Sequence, residues 1–236
     1  MTTPLPSIHL LSGGAAYGLV SKLEARFAAD CGYRIAGTFG AVGMMRDELL
    51  GGASCDLLIL TAALMAQLEA SGHVVAGSVR ALGTVKTAVA VKSGETPPAV
   101  GTPEELRTAL CSATGIYFPD PVKATAGIHF MNILKQFGLD AELSERLRPY
   151  PNGATAMGEM ARSTESGLIG CTQVTEILST PGVQLVANLP KACELATVYS
   201  AGLSRSAVSP QAAAALIALL ASPENAPLRS AAGFEG

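Results

Sequence analysis

Residues 7–30 read SIHLLSGGAAYGLVSKLEARFAAD, and this stretch decides the fold class. A short apolar run over 7–11 ends in Ser12-Gly13-Gly14, and apolar residues at helical spacing follow over 15–30. The pattern predicts a strand, a glycine turn and a helix. Such a unit is the repeating element of a sheet with helices packed on its faces.

The same pattern of strand, glycine turn and helix is repeated immediately downstream. Residues 33–39 alternate as in a second strand, residues 40–43 (GAVG) form a tight turn, and a helix is predicted over 44–50. A buried strand over 56–61 and a helix over 62–71 complete a third repeat. The three repeats predict a parallel sheet that is covered by helices on both faces.

A second α/β region begins near Leu82, where the composition changes. Predicted strands cover 84–91, 115–119, 167–171 and 195–202, and predicted helices cover 103–110, 126–137, 154–166 and 209–221. Thr102 and Glu105 are placed as a capping box, and Ser209 as an N-cap. We therefore predict two Rossmann-like α/β lobes, residues 1–82 with 192–236 and residues 83–191, joined by a two-strand hinge. A ligand would bind in the cleft between them.

The composition excludes several classes of protein. Of the 236 residues, 49% are hydrophobic and 15% are charged, and the mean hydropathy is +0.36, which is typical of a compact chain. No apolar run reaches the roughly 18 residues that a membrane span needs. The net charge is -3 and no basic tract is present, so nucleic-acid binding is not expected.

Cysteine and glycine spacings give no pattern typical of a metal or a nucleotide site. The five cysteines are far apart and show neither CxxC nor HxxxH spacing, so we predict no metal site and no disulfide framework. Residues 12–17 (SGGAAY) match neither GxGxxG nor GxxxxGK[ST], which excludes the usual dinucleotide and P-loop sites. No GxSxG elbow is present. No cofactor is predicted.

The first ten residues bear on the location of the protein. They read MTTPLPSIHL, with no basic n-region, no apolar h-region and no cleavage signal. A cytoplasmic location is therefore predicted for the chain as written. A periplasmic location, with an ABC permease as partner, is expected only if the native gene encodes a leader peptide.

Three glycine turns each place a strand end against the start of a helix, where N–H groups and the helix dipole favour an anion. The candidate ligand-binding residues in and around them are Ser12, Gly13, Gly14, Ala15, Thr38, Gly40, Ala41, Val42, Gly43, Thr61, Thr125, Ala126 and Gly127. Glycine also serves the tight bend itself, so a purely structural role stays open at each turn.

Side chains near these turns supply candidates for proton transfer. His129 follows Ala126-Gly127 in the first turns of a helix that we expect to face the cleft, where an imidazole can exchange protons. Lys86 and Tyr17 are the other catalytic candidates. Packing or a hydrogen bond to the ligand explains His129 as well as catalysis does.

Residues 118–129 (FPDPVKATAGIH) resemble the DPxxxxAGxY segment of the periplasmic molybdate-binding proteins of ABC transporters, the ModA-like branch of the type 2 periplasmic binding proteins. Residues 50–58 (LGGASCDLL) are similar to the family's GAPADVF segment, and residues 165–170 (ESGLIG) to its ESGEADAGIVY. Residues 221–224 (ASPE) and Gly233-Phe234 are similar to LLSPEAQ and a terminal GF. The resemblance covers almost the whole chain and implies two lobes that clamp a ligand at the hinge.

The chain departs from the family at the ligand shell that the resemblance implies. Family members hold molybdate with serine hydroxyls from the first two turns and a tyrosine after the ESG strand. Here those positions are Ala15, residues 41–43 (AVG) and Gly170, which joins the candidate ligand-binding residues. A buried tetrahedral dianion needs many donors to offset its dehydration. We therefore expect a larger organic anion, a di- or tricarboxylate.

Two functions of different classes follow. The first is a cofactor-independent isomerase of the aconitate isomerase branch of the fold, which moves a C=C bond by a 1,3-proton shift. The second is a binding protein for molybdate or another oxyanion, either an ABC transporter receptor or an intracellular anion sensor. In both cases the partner is a small anion.

Overall fold

The protein is described by a computed structural model over residues 5–236. The strands are β1 (Ser7–Gly13), β2 (Arg34–Gly40), β3 (Leu57–Thr61), β4 (Arg80–Lys92), β5 (Gly115–Pro119), β6 (Leu147–Tyr150), β7 (Leu168–Gln173), β8 (Val183–Asn188) and β9 (Ala196–Leu203). The helices are α1 (Tyr17–Cys31), α2 (Val42–Leu50), α3 (Ala62–Ala70), α4 (Pro103–Ser112), α5 (Thr125–Gln136), α6 (Gly153–Arg162), α7 (Val174–Leu178), α8 (Pro210–Ala221) and α9 (Ala226–Ala231). Residues 1–4, which the prediction of location used, lie outside this range.

The chain forms two compact units. Within the described residues, the first unit comprises 5–84 and 197–236, and the second comprises 85–196. The sequence placed the two crossings after residues 82 and 191. Both observed crossings fall inside strands, β4 on the way out and β9 on the way back.

The first unit is built around β1. Strand β1 is parallel to β2, with Gly13 opposite Gly40, and it is also parallel to β3, with Ser12 opposite Ile59. Strand β9 pairs with β3 in the antiparallel direction, with Tyr199 opposite Thr61. The parallel pairing predicted for the three repeats is confirmed for β1, β2 and β3, whereas β9 lies outside those repeats and is antiparallel. This strand arrives from the second unit rather than through a crossover helix, so the parallel direction is not imposed on it.

Helix α1 shows why the sequence pattern identified the helices of this unit. Its buried residues include Leu19, Leu23 and Phe27, which are four residues apart and therefore lie on one face. All five residues of β3 are buried, as expected for a strand covered on both faces. Burial of these side chains supplies the main stabilisation of the unit.

The second unit contains a mixed sheet. Strand β5 is parallel to β7 and to β6, whereas β4 is antiparallel to both β7 and β8. Strands β6 and β8 were not predicted. They have few buried residues, so neither shows the apolar pattern that identified β5 and β7.

The two faces of this sheet carry separate hydrophobic clusters. Val89, Ile169 and Cys171 belong to a cluster that also contains Leu106 of α4 and Phe130 of α5, which we call the α5 face. The alternate strand residues Ala88, Ala90, Tyr117 and Leu168 pack with Ala156, Met157 and Met160 of α6 and with Ile177 of α7, which we call the α6 face. The alternation of side chains along a strand assigns every residue of β7 to one of these faces.

Two predicted caps have different outcomes. The capping box of α4 is confirmed, because Glu105 N donates to Thr102 Oγ1 at 3.2 Å and Thr102 N donates to Glu105 Oε2 at 3.1 Å. Ser209 precedes α8, but its side chain makes no capping hydrogen bond. No helix within residues 5–236 is long and apolar enough to cross a membrane.

Candidate functional site

The turns of the first unit lie at one edge of its sheet. Gly13 and Gly40 are register partners at the carboxyl ends of the parallel strands β1 and β2, and β3 ends at Thr61. Because carboxyl ends of parallel strands meet at the same edge, residues 12–15, residues 40–43 and Thr61 are neighbours. The two glycine turns of this unit therefore lie at the same edge of its sheet.

These turns present main-chain groups rather than polar side chains. Ala15, Ala41 and Val42 are buried and apolar. The N-cap of α2 is Ala41, which has no side-chain capping bond. The Ser12 hydroxyl is fully buried and donates to Gly13 O at 2.9 Å. The donors of an anion here would be the first N–H groups of α2.

Three further candidates of this unit lie outside the buried turns. Thr61 Oγ1 accepts from Leu64 N at 3.4 Å and so caps α3. Thr38 is exposed on β2, the outermost strand of the unit. Tyr17 is 47% exposed, and its ring packs edge-on against Phe39 with the centroids 5.2 Å apart. The contact with Phe39 positions the ring of Tyr17, and about half of the side chain remains exposed to solvent.

In the second unit, the loop before α5 is held by an aspartate. Asp120 Oδ1 accepts from Val122 N at 2.7 Å and from Lys123 N at 2.8 Å. A Cβ at Gly127 would overlap with the carbonyl oxygens of Pro119 and Asp120. Glycine is therefore required for α5 to begin against the end of β5. The N-cap, Ala124, makes no side-chain capping bond.

His129 of α5 is half-buried, and one of its ring nitrogens has a backbone partner. Its Nε2 lies 2.8 Å from the carbonyl oxygen of Cys193. Because a carbonyl only accepts, Nε2 must donate, and Nδ1 is the nitrogen that can exchange a proton. A hydrogen bond of this kind fixes the tautomer and the orientation of the ring.

Lys86 lies in an ion pair beside the same segment. Its Nζ is 3.6 Å from Glu194 Oε2, and Lys191 Nζ is 2.7 Å from Glu194 Oε1. The hydrogen bond from Lys191, supported by the charge of Lys86, lowers the pKa of Glu194. The carboxylate therefore stays ionised and compensates both ammonium groups. The sequence neighbours Cys193 and Glu194 thus bring His129 and Lys86 to one segment.

The assignment of Gly170 as a ligand-binding residue is not supported by its place in β7. Alternation puts Gly170 on the α6 face, where a Cβ would lie 2.5 Å from Met157 Cε and 3.0 Å from Met160 Cε. Helix α6 therefore covers this position. The polar residue at the carboxyl end of β7 is Gln173, three residues further on.

The sequence interpretation missed a set of buried polar side chains. The buried side chains with a polar atom that has no hydrogen-bond partner among residues 5–236 are Thr87, Gln173, Thr175 and Thr197. Gln173 is 3% exposed, and neither its Nε2 nor its Oε1 is bonded. The signal that could have found it is a polar run, residues 172–176 (TQVTE), directly after an apolar buried strand.

The carboxyl group of Glu176, a residue of α7, is buried beside the first residues of α6. Its Oε2 accepts from Thr172 Oγ1 at 2.5 Å, and its carboxylate also accepts backbone hydrogen bonds from Gly153 and Ala154. Burial raises the pKa of Glu176, and these bonds oppose that effect. The chain's own carboxyl therefore fills the anion position at the start of α6.

Three buried cysteines offer no activated nucleophile. Burial raises the pKa of the Cys55 thiol to about 11, and it also raises the pKa values of Cys171 and Cys193. These thiols remain protonated and unreactive near neutral pH. Within residues 5–236, no cluster of three His, Cys, Asp or Glu side chains could hold a metal ion.

A cavity of about 470 Å³ lies in the second unit, and none of the predicted site residues lines it. Its walls include Val91, Ala109 and Leu168, and Glu95 and Glu104 also line it. Carboxylates repel an anion, so this cavity does not suit the expected ligand.

Known proteins resemble this chain over nearly its whole length. Aconitate isomerase from Pseudomonas sp. is 25% identical over an alignment of 231 positions that covers 94% of this chain and 85% of that protein. The periplasmic molybdate-binding protein of Azotobacter vinelandii has a TM-score of 0.79 at 17% identity, covering 96% of this chain and 98% of that one. The sulfate-binding protein SubI of Mycobacterium tuberculosis has a TM-score of 0.72 at 15% identity, covering 97% and 86%.

These likenesses agree on the fold. The two solved structures are less than 25% identical to this chain, so they bear on its architecture alone. The family described as bacterial extracellular solute-binding protein matches residues 8–235. The chain therefore belongs to the bacterial extracellular solute-binding protein family, and it has the ModA-like fold of the type 2 periplasmic binding proteins.

Proposed function

We propose that the ligand of this solute-binding protein is a small organic di- or tricarboxylate. The observation that carries the proposal is the apolar character of the turns in the first unit. Ala15, Ala41 and Val42 are buried and carry no hydroxyl, and the Ser12 hydroxyl donates to Gly13 O, so these turns offer few side-chain donors to replace the water of a bound anion. Main-chain N–H groups at the start of α2 are the donors that remain.

The physical reason is the number of donors that each kind of anion requires. A tetrahedral dianion concentrates two charges on four oxygens and loses all of its hydration when it is buried. An organic carboxylate spreads its charges over separate groups, and each group can use one helix start or one pair of neutral donors. Its carbon skeleton can also contact apolar side chains such as Val42.

We further propose that the ligand is isomerised in the manner of aconitate isomerase, whose name comes from the relative at 25% identity. In this reaction a base removes an allylic proton, the C=C bond moves by one carbon, and a proton is returned at the far end of the allyl unit. Atoms and electrons balance without an oxidant or a reductant. The chemistry needs carboxylate anchors and proton-transfer groups only.

The candidates for proton transfer are His129, Lys86 and Tyr17. His129 is favoured because Nε2 is held by Cys193 O, which leaves Nδ1 oriented as the exchanging nitrogen. Lys86 is held by Glu194 and is suited to balance developing negative charge. Tyr17 has the most exposed side chain of the three.

The test is a thermal-shift panel followed by NMR. Trans-aconitate, citrate, molybdate, tungstate and sulfate are compared, because a ligand that binds the folded state raises Tm, by an amount that grows with its concentration above Kd. We expect a carboxylate to give the largest shift. Proton NMR of trans-aconitate with the protein in D2O should then show deuterium uptake and the cis isomer. Absence of both would refute the isomerase.

The second candidate is an oxyanion-binding protein that works with an ABC permease. It is favoured by the family itself and by solved neighbours that are named as molybdate- and sulfate-binding proteins. In the same panel this function requires molybdate, tungstate or sulfate to give the only large shift. That result would overturn the inference from the apolar turns.

A further inference from the structure

Thr87 of β4 and Gln173 of β7 are directly opposite each other in the second unit. They are register partners in an antiparallel pair, two positions beyond the pair Val89 and Cys171. Opposite residues project from the same face with Cβ atoms about 5 Å apart. Since Val89 and Cys171 belong to the α5 face, Thr87 and Gln173 lie on that face too.

Both side chains are buried and unpartnered. Thr87 is fully buried and Gln173 is 3% exposed, yet the Thr87 hydroxyl and both polar atoms of the Gln173 amide have no hydrogen-bond partner among the described residues. Most buried polar groups in folded proteins are bonded, and leaving one unbonded destabilises the protein. Gln184 of β8 shows the usual case, since its Nε2 donates to Glu95 O at 2.7 Å.

The start of α5 lies at the same end of the same face. Strands β5 and β7 are parallel, with Tyr117 opposite Gly170, so the two strands end at one edge. Helix α5 follows β5 and packs on the α5 face through Phe130, and its N-cap residue provides no side-chain capping bond. An amide and a hydroxyl without partners therefore lie at the edge where uncapped helical N–H groups begin.

We propose that Thr87 and Gln173, together with the start of α5, form an uncharged subsite that holds one carboxylate of the ligand. The amide Nε2 supplies two donor hydrogens and the hydroxyl supplies one, which suits the two oxygens of a carboxylate. The positive end of the α5 dipole favours the negative charge without an adjacent cation. This subsite rests on the proposed carboxylate ligand and specifies how that ligand is recognised in the second unit.

The test uses variants that keep the shape and remove the polar atoms, Gln173→Met and Thr87→Val. Without ligand, each should have a Tm equal to or above that of the wild type, because a buried unsatisfied group is removed. With trans-aconitate or citrate, the Kd measured by calorimetry should rise about tenfold or more, since a hydrogen bond to a charged group is lost. Gln184→Met is the matched control, with unchanged Kd and a lower Tm.

Each outcome separates the subsite from the proposed ligand. A lower Tm for Gln173→Met and Thr87→Val with an unchanged Kd would mean that the two side chains are structural, and it would overturn the subsite. If the wild type binds molybdate alone and both variants weaken that binding, the carboxylate assignment is overturned. If trans-aconitate or citrate binds the wild type and both variants as tightly, the proposed ligand stands and the subsite falls.

Discussion

Asp56 in the first unit and Gln173 in the second are both buried polar side chains, and they have opposite surroundings. Asp56 is 2% exposed and accepts three backbone hydrogen bonds: Oδ2 from His9 N at 2.7 Å, and Oδ1 from Val208 N and Ser209 N at 2.8 Å each. Gln173 is 3% exposed, and its side-chain amide has no hydrogen-bond partner among residues 5–236. Burial alone therefore does not separate a structural polar residue from a functional one.

The difference between the two residues lies in what each side chain does for the folded chain. Asp56 ties the segment before α8 to β1, so its hydrogen bonds are present only when that part of the fold is complete. The Gln173 side chain makes no such hydrogen bonds, and its removal from water destabilises the folded protein. A protein keeps such a residue when a ligand supplies the missing partners, at the expense of stability without ligand.

The largest effect that sharpens this comparison is expected for Asp56→Ala. Three hydrogen bonds to the buried carboxylate are lost, and the N–H groups of His9, Val208 and Ser209 lose their acceptor. We expect the free energy of unfolding to fall by at least about 3 kcal/mol, measured by urea denaturation. This is the opposite sign from Gln173→Met.

Asp30→Ala is the matched control for that experiment. Asp30 is exposed and pairs with Arg26 at 3.5 Å on the surface of α1. Surface ion pairs contribute little, so a change of under about 1 kcal/mol is expected. If Asp56→Ala were as mild as Asp30→Ala, the distinction between bonded and unbonded buried groups would fail.

Glu176 shares features with both Asp56 and Gln173. Its carboxyl group is buried and hydrogen-bonded like that of Asp56, but its burial also opposes the charged form. Burial raises its pKa above the ordinary value of 4.5, so the folded state binds this proton more tightly than the unfolded state. The contribution of Glu176 to stability is complete below pH 4.5 and is lost as the pH rises through the folded-state pKa. Glu176→Gln keeps the acceptor for Gly153 and Ala154 and removes the titration.

The measurement is the free energy of unfolding of both proteins at several pH values from 4.5 to 8. Relative to the wild type, Glu176→Gln should become progressively more stable as the pH rises. Glu159→Gln, the same change at a more exposed glutamate of α6, is the control for the substitution itself. A constant difference between the wild type and Glu176→Gln across this range would contradict the role of burial.

The fold was more accessible to sequence reasoning than the site was. Buried strands and helices have an apolar pattern that can be recognised in the sequence. Strand β5 is therefore predicted over its observed bounds of Gly115–Pro119. The half-buried strands β6 and β8 lack that pattern, and the antiparallel direction of β9 depends on where the chain re-enters the unit. Local periodicity carries no information about such an entry.

The position of the site depends on the pairing register of the strands and on the face of the sheet to which each side chain points. Neither can be read from the sequence alone. Gly170 and Gln173 are three residues apart in one strand, and they therefore lie on opposite faces of the sheet. Choosing Gly170 instead of Gln173 moves the predicted contact from α5 to α6. Thr87 is identified as a candidate site residue only because it lies opposite Gln173 in the antiparallel pair. Gly127, in contrast, was predictable from its turn motif, because the close approach to Pro119 O and Asp120 O is local in sequence.

The smallest change in stability is expected when two threonines of the second unit, Thr102 and Thr87, are each replaced by valine. Thr102 caps α4 by accepting from Glu105 N at 3.2 Å, whereas the Thr87 hydroxyl has no partner among the described residues. Thr102→Val should lower the free energy of unfolding by about 1 kcal/mol, because valine cannot cap. In a chain of this size that corresponds to a drop in Tm of about 2 to 4 °C. Thr87→Val should leave Tm unchanged or raise it, so equal losses at both positions would show that Thr87 has an undetected structural partner.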